Sequence, residues 1–254
     1  YMIIQSKRVW IAGQFLAMQI EMQNGKITDI LPYGTKAADI DYGDKRIVPG
    51  FIDVHTHGAY GFDTNDAEPE GLRDWMKRIP EEGVTAILPT TVTQMPDVLT
   101  AALKNVAAVV SEGYEGAEIL GVHFEGPYLD MEYKGAQPPE AIAKATVEQF
   151  KMYQEAAQGL IKYITMAPEH DENFALTRYC RETGVVVSMG HSSATYEQAM
   201  LGIANGATSM THVYNGMTPY HHRKPGLVGT ALRVRDIYGE IICDGCHSHL
   251  AALN

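Results

Sequence analysis

The stretch Pro49-Gly-Phe-Ile-Asp-Val-His-Thr-His-Gly58 separates two kinds of sequence. Pro49 and Gly50 make a turn signal, and Phe51 to His57 follow as an apolar run closed by two histidines two positions apart. Upstream, residues 1–48 read as short strands at Met2 to Ile4, Val9 to Ile11, Phe15 to Met22, Lys26 to Leu31 and Arg46 to Val48. Asn24-Gly25 and Pro32-Tyr33-Gly34 punctuate them, which predicts a small β domain. Downstream, over 49–254, β-rich runs recur at Val84 to Thr91, Glu118 to Glu125, Ile161 to Pro168, Val185 to His191, Ser209 to Asn215 and Tyr238 to Asp244. Helical stretches lie between them at Glu68 to Glu82, Met95 to Glu112, Thr146 to Gln158, Asn173 to Thr183 and Tyr196 to Asn205. This alternation predicts α/β architecture built from βαβ units on a parallel sheet. The Pro-rich segment Asp130 to Ile142 reads as a binding loop.

Composition narrows the class. The chain has 254 residues, 45% hydrophobic and 20% charged, which suits a folded globular protein and excludes disordered or collagenous ones. That length suits one (β/α)8 barrel, although two domains of about 120 residues also fit. Asp and Glu outnumber Lys and Arg by 31 to 20, giving a net charge of -11. Such a balance argues against nucleic-acid or anionic-membrane partners. No apolar run reaches the length of a membrane span, and the stretch after Lys7 and Arg8 is interrupted by Gly13, Gln14 and Gln19, unlike a signal peptide. An odd count of three cysteines fits reducing cytoplasm better than a disulfide framework.

Ten histidines are more than a core needs, and their positions are informative. On a strand, His55 and His57 point to the same face. Glu125 closes the third run, His191 the fifth, and His212 lies in the sixth. Strand carboxyl ends are where barrel enzymes assemble their sites, and scattered histidines would fall equally on helices. A Glu with two imidazoles supplies three ligands and leaves a position open, as in catalytic rather than structural divalent sites. His123 shares a face with Glu125 but reads equally as a hydrogen-bonded barrel histidine, and His170 as solvated. His221 and His222 precede Arg223-Lys224-Pro225-Gly226, a compact basic loop that is either solvated surface or an anion clamp. Cys243-Asp-Gly-Cys-His247 formally matches a haem-attachment motif. It follows the apolar Ile241 and Ile242, expected as a buried strand, with no export signal upstream, so incidental cysteines around Asp244 and His247 are the better reading.

The 49–58 stretch resembles the first-strand signature of the amidohydrolase superfamily. His-Phe-Glu-Gly-Pro (123–127), Gly-His-Ser (190–192), Thr-His-Val-Tyr-Asn-Gly-Met (211–217), Arg-Lys-Pro-Gly (223–226) and Asp-Gly-x-His (244–247) together resemble the N-acetylglucosamine-6-phosphate deacetylase family within it. The resemblance implies a metal-dependent (β/α)8 TIM barrel with a small β-sandwich domain, and hydrolysis of N-acetylglucosamine 6-phosphate to glucosamine 6-phosphate and acetate. It implies that Glu125, His191 and His212 hold a divalent metal, zinc or iron, and that His55 and His57 serve a second, giving one or two per subunit. Asn215, Gly216 and Arg223 correspond to positions gripping the sugar phosphate, Ala136 and Gln137 to a substrate-touching loop, and Asp244 to a substrate-binding motif. His247 corresponds to a histidine that polarises the acetamide carbonyl. A cytoplasmic homodimer is also implied.

The family's proton-transferring aspartate ends strand eight, and Ser248 to Asn254 contain no acid. The expectation is therefore a barrel carrying strands one to seven. Two alternatives stand beside the deacetylase: a catalytically impaired chain that binds metal and sugar phosphate, and a cyclic-amide hydrolase of dihydroorotase type. The latter needs a lysine ending strand four, where this chain has Met166-Ala-Pro-Glu169.

Overall fold

The computed structural model describes residues 1–253, which form two compact units that divide between Phe51 and Ile52. In the first, β1 (Met2–Ile11), β2 (Gln14–Gln23) and β3 (Lys26–Pro32) form an antiparallel meander. Its turns are Ala12-Gly13 and Asn24-Gly25, both residues of each at positive φ as tight hairpins require. The short β4 (Ile40–Asp41) and β5 (Arg46–Ile47) pair parallel with β1. These strands make one five-stranded sheet. The two runs expected within residues 2–11 are one strand whose register shifts between Ser6 and Val9.

The second unit alternates strands and helices as expected. In chain order come β6 (Phe51–Thr56), the hairpin β7 (Gly58–Ala59) and β8 (Phe62–Asp63), α1 (Pro69–Arg78), β9 (Val84–Thr91) and α2 (Pro96–Glu112). They are followed by β10 (Glu118–Ile119), β11 (Val122–Glu125), α3 (Val147–Ala156), β12 (Ile161–Met166), α4 (Ala175–Glu182) and β13 (Val186–Met189). The last are α5 (Tyr196–Asn205), β14 (Ser209–Met210), α6 (Gly226–Arg233) and β15 (Tyr238–Gly239). β10 and β11 are one strand interrupted at Gly121, whose φ of +153° goes with a backbone so close to its neighbour that a Cβ would meet Lys162 Cγ at 2.4 Å. Counted together, they leave sheet neighbours in chain order, from β6 on β9 through to β15. This is the parallel sheet of an amidohydrolase-type TIM barrel.

Alternation along the strands sorts side chains into two layers. Phe124, Ile164, Met166, Val187, Met189 and Met210 are buried in the apolar cluster that the helices share. α1 contributes Leu72, Trp75 and Met76 at helical spacing, and α2 contributes Leu99, Leu103 and Val106. On the opposite faces lie His123, Glu125, Thr165 and Ser188, and register pairs Glu125 with Thr165 and Thr165 with Ser188. Their polar groups close on one another: Thr211 Oγ1 lies 2.7 Å from Thr165 Oγ1 and 2.7 Å from Ser188 Oγ.

Three expectations need correction. The sixth run ends at Met210 rather than Asn215, because His212 (φ 29°) and Tyr214 (φ 82°) leave extended geometry. The seventh ends at Gly239, so Ile241 does not close a buried strand and is 43% exposed. The basic loop leads into α6, which its glycines at 226 and 229 concealed because glycine disfavours helix. Among the described residues no helix is long and apolar enough to cross a membrane.

Candidate metal centre

The centre is organised around Glu125, 2% exposed at the carboxyl end of β11. Its Oε1 lies 3.3 Å from His55 Nε2, 3.2 Å from His191 Nε2 and 3.4 Å from His212 Nε2. Its Oε2 faces His57 Nε2 at 3.2 Å. Two triads result, His55-His57-Glu125 and Glu125-His191-His212, the ligand atoms of each lying within 4.8 Å of one another. The five residues expected to ligate metal therefore come together.

The far side of each imidazole explains its orientation. His57 Nδ1 donates to Thr90 O at 3.2 Å, His191 Nδ1 to Tyr133 O at 2.8 Å and His212 Nδ1 to Asn215 O at 2.9 Å. His55 Nδ1 donates to the Glu240 carboxylate at 2.8 Å. All four acceptors lack a proton to give, so each Nδ1 carries hydrogen and each Nε2 is directed at Glu125. His191 Nε2 and His212 Nε2 are only 3.1 Å apart, so at most one proton fits between them. Lone pairs gathered this closely around a buried carboxylate require positive charge among them, and the nitrogen and oxygen donors suit a divalent first-row cation.

Backbone shape contributes too. His191 (φ 47°) and His212 (φ 29°) both adopt left-handed backbone, at a cost of about 1–3 kcal/mol each that packing must offset. Gly216, at φ +58°, lets its loop pass the His191 ring, where a Cβ would sit 3.0 Å from Nδ1.

Electrostatics follow from the geometry. Burial pushes the Glu125 carboxyl up, but the surrounding imidazoles of His191, His212, His55 and His57 hold it well below its usual 4.5. Burial opposes charge on His55, yet Glu125 and Glu240 raise it from 6.5 to about 10. Without metal, His55 thus adds stability that is full below its unfolded value and lost as pH rises toward 10, whereas the Glu125 contribution is lost as pH falls. Chelated protein is expected to melt highest near pH 5–6.5 and clearly lower at pH 9. A fluorimetric melting series in chelator checks this, and a flat profile from pH 6 to 9 would contradict it.

His123 is fully buried and uses both ring nitrogens, Nδ1 on Val54 O and Nε2 on Thr165 Oγ1, each at 2.7 Å. It is a hydrogen-bonded barrel histidine, held neutral with its pKa lowered to about 3 by burial and by neighbouring His55. The side chain of Gln137 is also committed internally: its amide donates to Glu125 Oε2 at 2.9 Å and its Oε1 accepts from Thr93 N at 2.8 Å. Beside it, Ala136 is exposed on the loop. His170 is exposed, as expected, and its Nε2 also lies 2.7 Å from Asp130 Oδ2. Asp130 also accepts from Ser193 Oγ and from the backbone N–H groups of Glu132 and Tyr133. Asp130 thereby stiffens the loop that supplies the carbonyl anchoring His191.

The remaining candidates occupy more open segments. Asn215 Nδ2 reaches Ser248 Oγ at 3.5 Å, and the Gly216 carbonyl accepts from Ser192 N at 3.1 Å. Arg223 is exposed. Asp244 accepts from the backbone N–H of both Cys246 and His247 and lies 2.7 Å from His247 Nδ1. Those bonds, the His247 N–H foremost, pull its carboxyl down to about 2. Among the described residues His247 Nε2 has no hydrogen-bond partner. The run Tyr238 to Asp244 puts Glu240 inside a strand, where no sequence signal marks it. With β15 ending at Gly239, the carboxyl-end rule that found the histidines would have found it as well.

The chain is 46% identical over 211 residues to the N-acetylglucosamine-6-phosphate deacetylase of Bacillus subtilis (strain 168), covering 81% of this chain and 53% of that protein. It is 35% identical to the N-acetylgalactosamine-6-phosphate deacetylase of Escherichia coli O157:H7, covering 93% of this chain and 62% of that one. The crystal structure of N-acetyl-D-glucosamine-6-phosphate deacetylase from Mycobacterium smegmatis superimposes with a TM-score of 0.93 at 27% identity, covering 100% of this chain and 72% of that chain. The chain thus spans between half and two thirds of the length of these curated relatives. The family model for the amidohydrolase family, whose members are metal-dependent, matches residues 46–253, and the chain belongs to that family.

Proposed function

We propose that the protein hydrolyses the N-acetyl group of N-acetylglucosamine 6-phosphate, releasing acetate and glucosamine 6-phosphate. The observation that carries this reading is the set of imidazoles, each anchored through Nδ1, that turn Nε2 toward one buried carboxylate. The names of the relatives supply the substrate class. Glu125, His191 and His212 would hold one divalent cation, zinc or iron, and His55 and His57 with Glu125 a second. When bound, the cation supplies a Lewis acid and lowers the pKa of a water to about 7.

The chain's own residues do the rest. Asp244 fixes the His247 ring through Nδ1, so Nε2 can donate to the acetamide oxygen as charge develops there. Arg223, beside Lys224, is suited to a bidentate grip on phosphate, with Asn215 and Gly216 lining the same subsite and Ala136 touching the sugar. The contribution of Gln137 is to hold Glu125. The protein's acidity does not oppose a phosphorylated substrate, because salt screens charges beyond roughly 8 Å and the basic loop acts locally. The same reading carries a cytoplasmic homodimer. A cyclic-amide hydrolase finds no support at the end of β12, where Met166, Ala167 and Pro168 stand.

Acetate release by the full-length protein, chelated and then reloaded with zinc or iron, tests the proposal. The expected result is metal-dependent turnover of N-acetylglucosamine 6-phosphate, with kcat/KM roughly 100-fold lower for the unphosphorylated sugar. Absence of acetate release in the reloaded protein would overturn the proposal.

A further inference from the structure

We propose that Glu240 is a positioning residue that builds the His55-His57-Glu125 cation site by holding His55 from behind, so that occupancy of this site depends on it. The inference rests on the reading of the Glu125 cluster as a metal centre. Three of the four imidazoles are anchored by backbone carbonyls, and only His55 by a carboxylate. A carboxylate on Nδ1 fixes the tautomer as a carbonyl does, and it also makes Nε2 a stronger donor.

The placement of Glu240 is over-determined. Its backbone N–H donates to Met210 O at 2.9 Å and its carbonyl accepts from Val213 N at 2.8 Å, so the residue is fastened to the end of β14 on both sides. The side chain is 16% exposed, with Oε2 at His55 Nδ1 and Oε1 receiving the Tyr163 hydroxyl at 2.6 Å. The Tyr163 ring packs edge-on against His123 at 4.6 Å between centroids, and His123 packs against His55 at 4.5 Å. Hydrogen bond and ring packing therefore act together to stop rotation of His55.

Charge supplies the second half of the case. Glu125 is shared by both triads, so the His55-His57 side has no carboxylate of its own in contact with a cation. Glu240 provides a negative charge one imidazole away. The Glu125-His191-His212 triad shares the same carboxylate but has only neutral carbonyls behind its imidazoles, so the added charge is particular to the His55-His57 side.

The test is a Zn2+ titration of the chelated full-length protein against a chromophoric competitor, for the unmodified protein and for the His55→Ala, Glu240→Gln and Tyr163→Phe variants. The unmodified protein is expected to bind two equivalents, and His55→Ala identifies the one belonging to this site. Glu240→Gln should weaken that same equivalent about 10–100-fold and leave the other within about threefold. Tyr163→Phe should shift it in the same direction by a smaller factor, and it carries the comparison alone if Glu240→Gln does not fold. Unchanged affinities, or equal weakening of both equivalents together with a lowered melting temperature, would overturn the proposal. A single equivalent in the unmodified protein would overturn it while leaving the deacetylase reading intact, whereas no binding at all would remove both.

Discussion

On the proposed function, replacing Glu125 by Gln is expected to abolish tight binding at both candidate cation sites at once and to lower deacetylation by about 10²–10³-fold or more. The carboxylate is the one member common to both triads, and its two oxygens face different imidazoles. Gln keeps the volume but removes the negative charge, and losing one partner from a buried charged network costs about 3–5 kcal/mol. At about 1.4 kcal/mol per decade that corresponds to the stated loss. Zn2+ titration beside acetate release checks it. A variant that retained either equivalent at unmodified affinity would show that Glu125 is not the shared ligand.

The second large effect lies one residue away, on the opposite face of β11. Phe124 is fully buried, 5.0 Å from the Tyr153 ring and 6.4 Å from those of Tyr128 and Phe150, measured between centroids. Phe124→Ala leaves a cavity under the strand that carries Glu125, at a cost of about 3–5 kcal/mol. In a domain of this size each kcal/mol moves the midpoint by about 2–4 °C, so the melting temperature should fall roughly 10 °C. Activity per folded molecule at low temperature should change far less than in Glu125→Gln. A thermal melt within ~2 °C of the unmodified protein would refute the assigned packing.

That contrast between adjacent residues shows what a sequence can carry. Period-two alternation and the carboxyl-end rule lead to His55, His57, Glu125, His191 and His212, since both depend only on where strands lie. The partners behind the imidazoles are a different matter. Thr90, Tyr133 and Asn215 act through backbone carbonyls, which every residue possesses, so no side-chain pattern marks them. Glu240 is hidden because the strand ends a residue before it, and although Gln137 stands out in its loop, nothing in the sequence shows that its side chain faces Glu125. The shortness of β14 is equally illegible. It results from left-handed backbone at His212 and Tyr214, which tertiary contacts impose against local preference.

The sharing of Glu125 between the two triads sets how the site can be lost. His55 and His57 both come from β6 and its end, whereas His191 and His212 come from two other strand ends. Drift at β6 can therefore erase one cation position and leave a complete three-ligand centre behind. A change at His191 or His212 does the reverse and leaves His55, His57 and Glu125 together, whereas a change at Glu125 removes both sets at once. Among natural variants of this architecture, substitutions confined to one histidine pair should thus leave a three-ligand set, and substitutions at 125 should occur only where the chemistry itself has been abandoned.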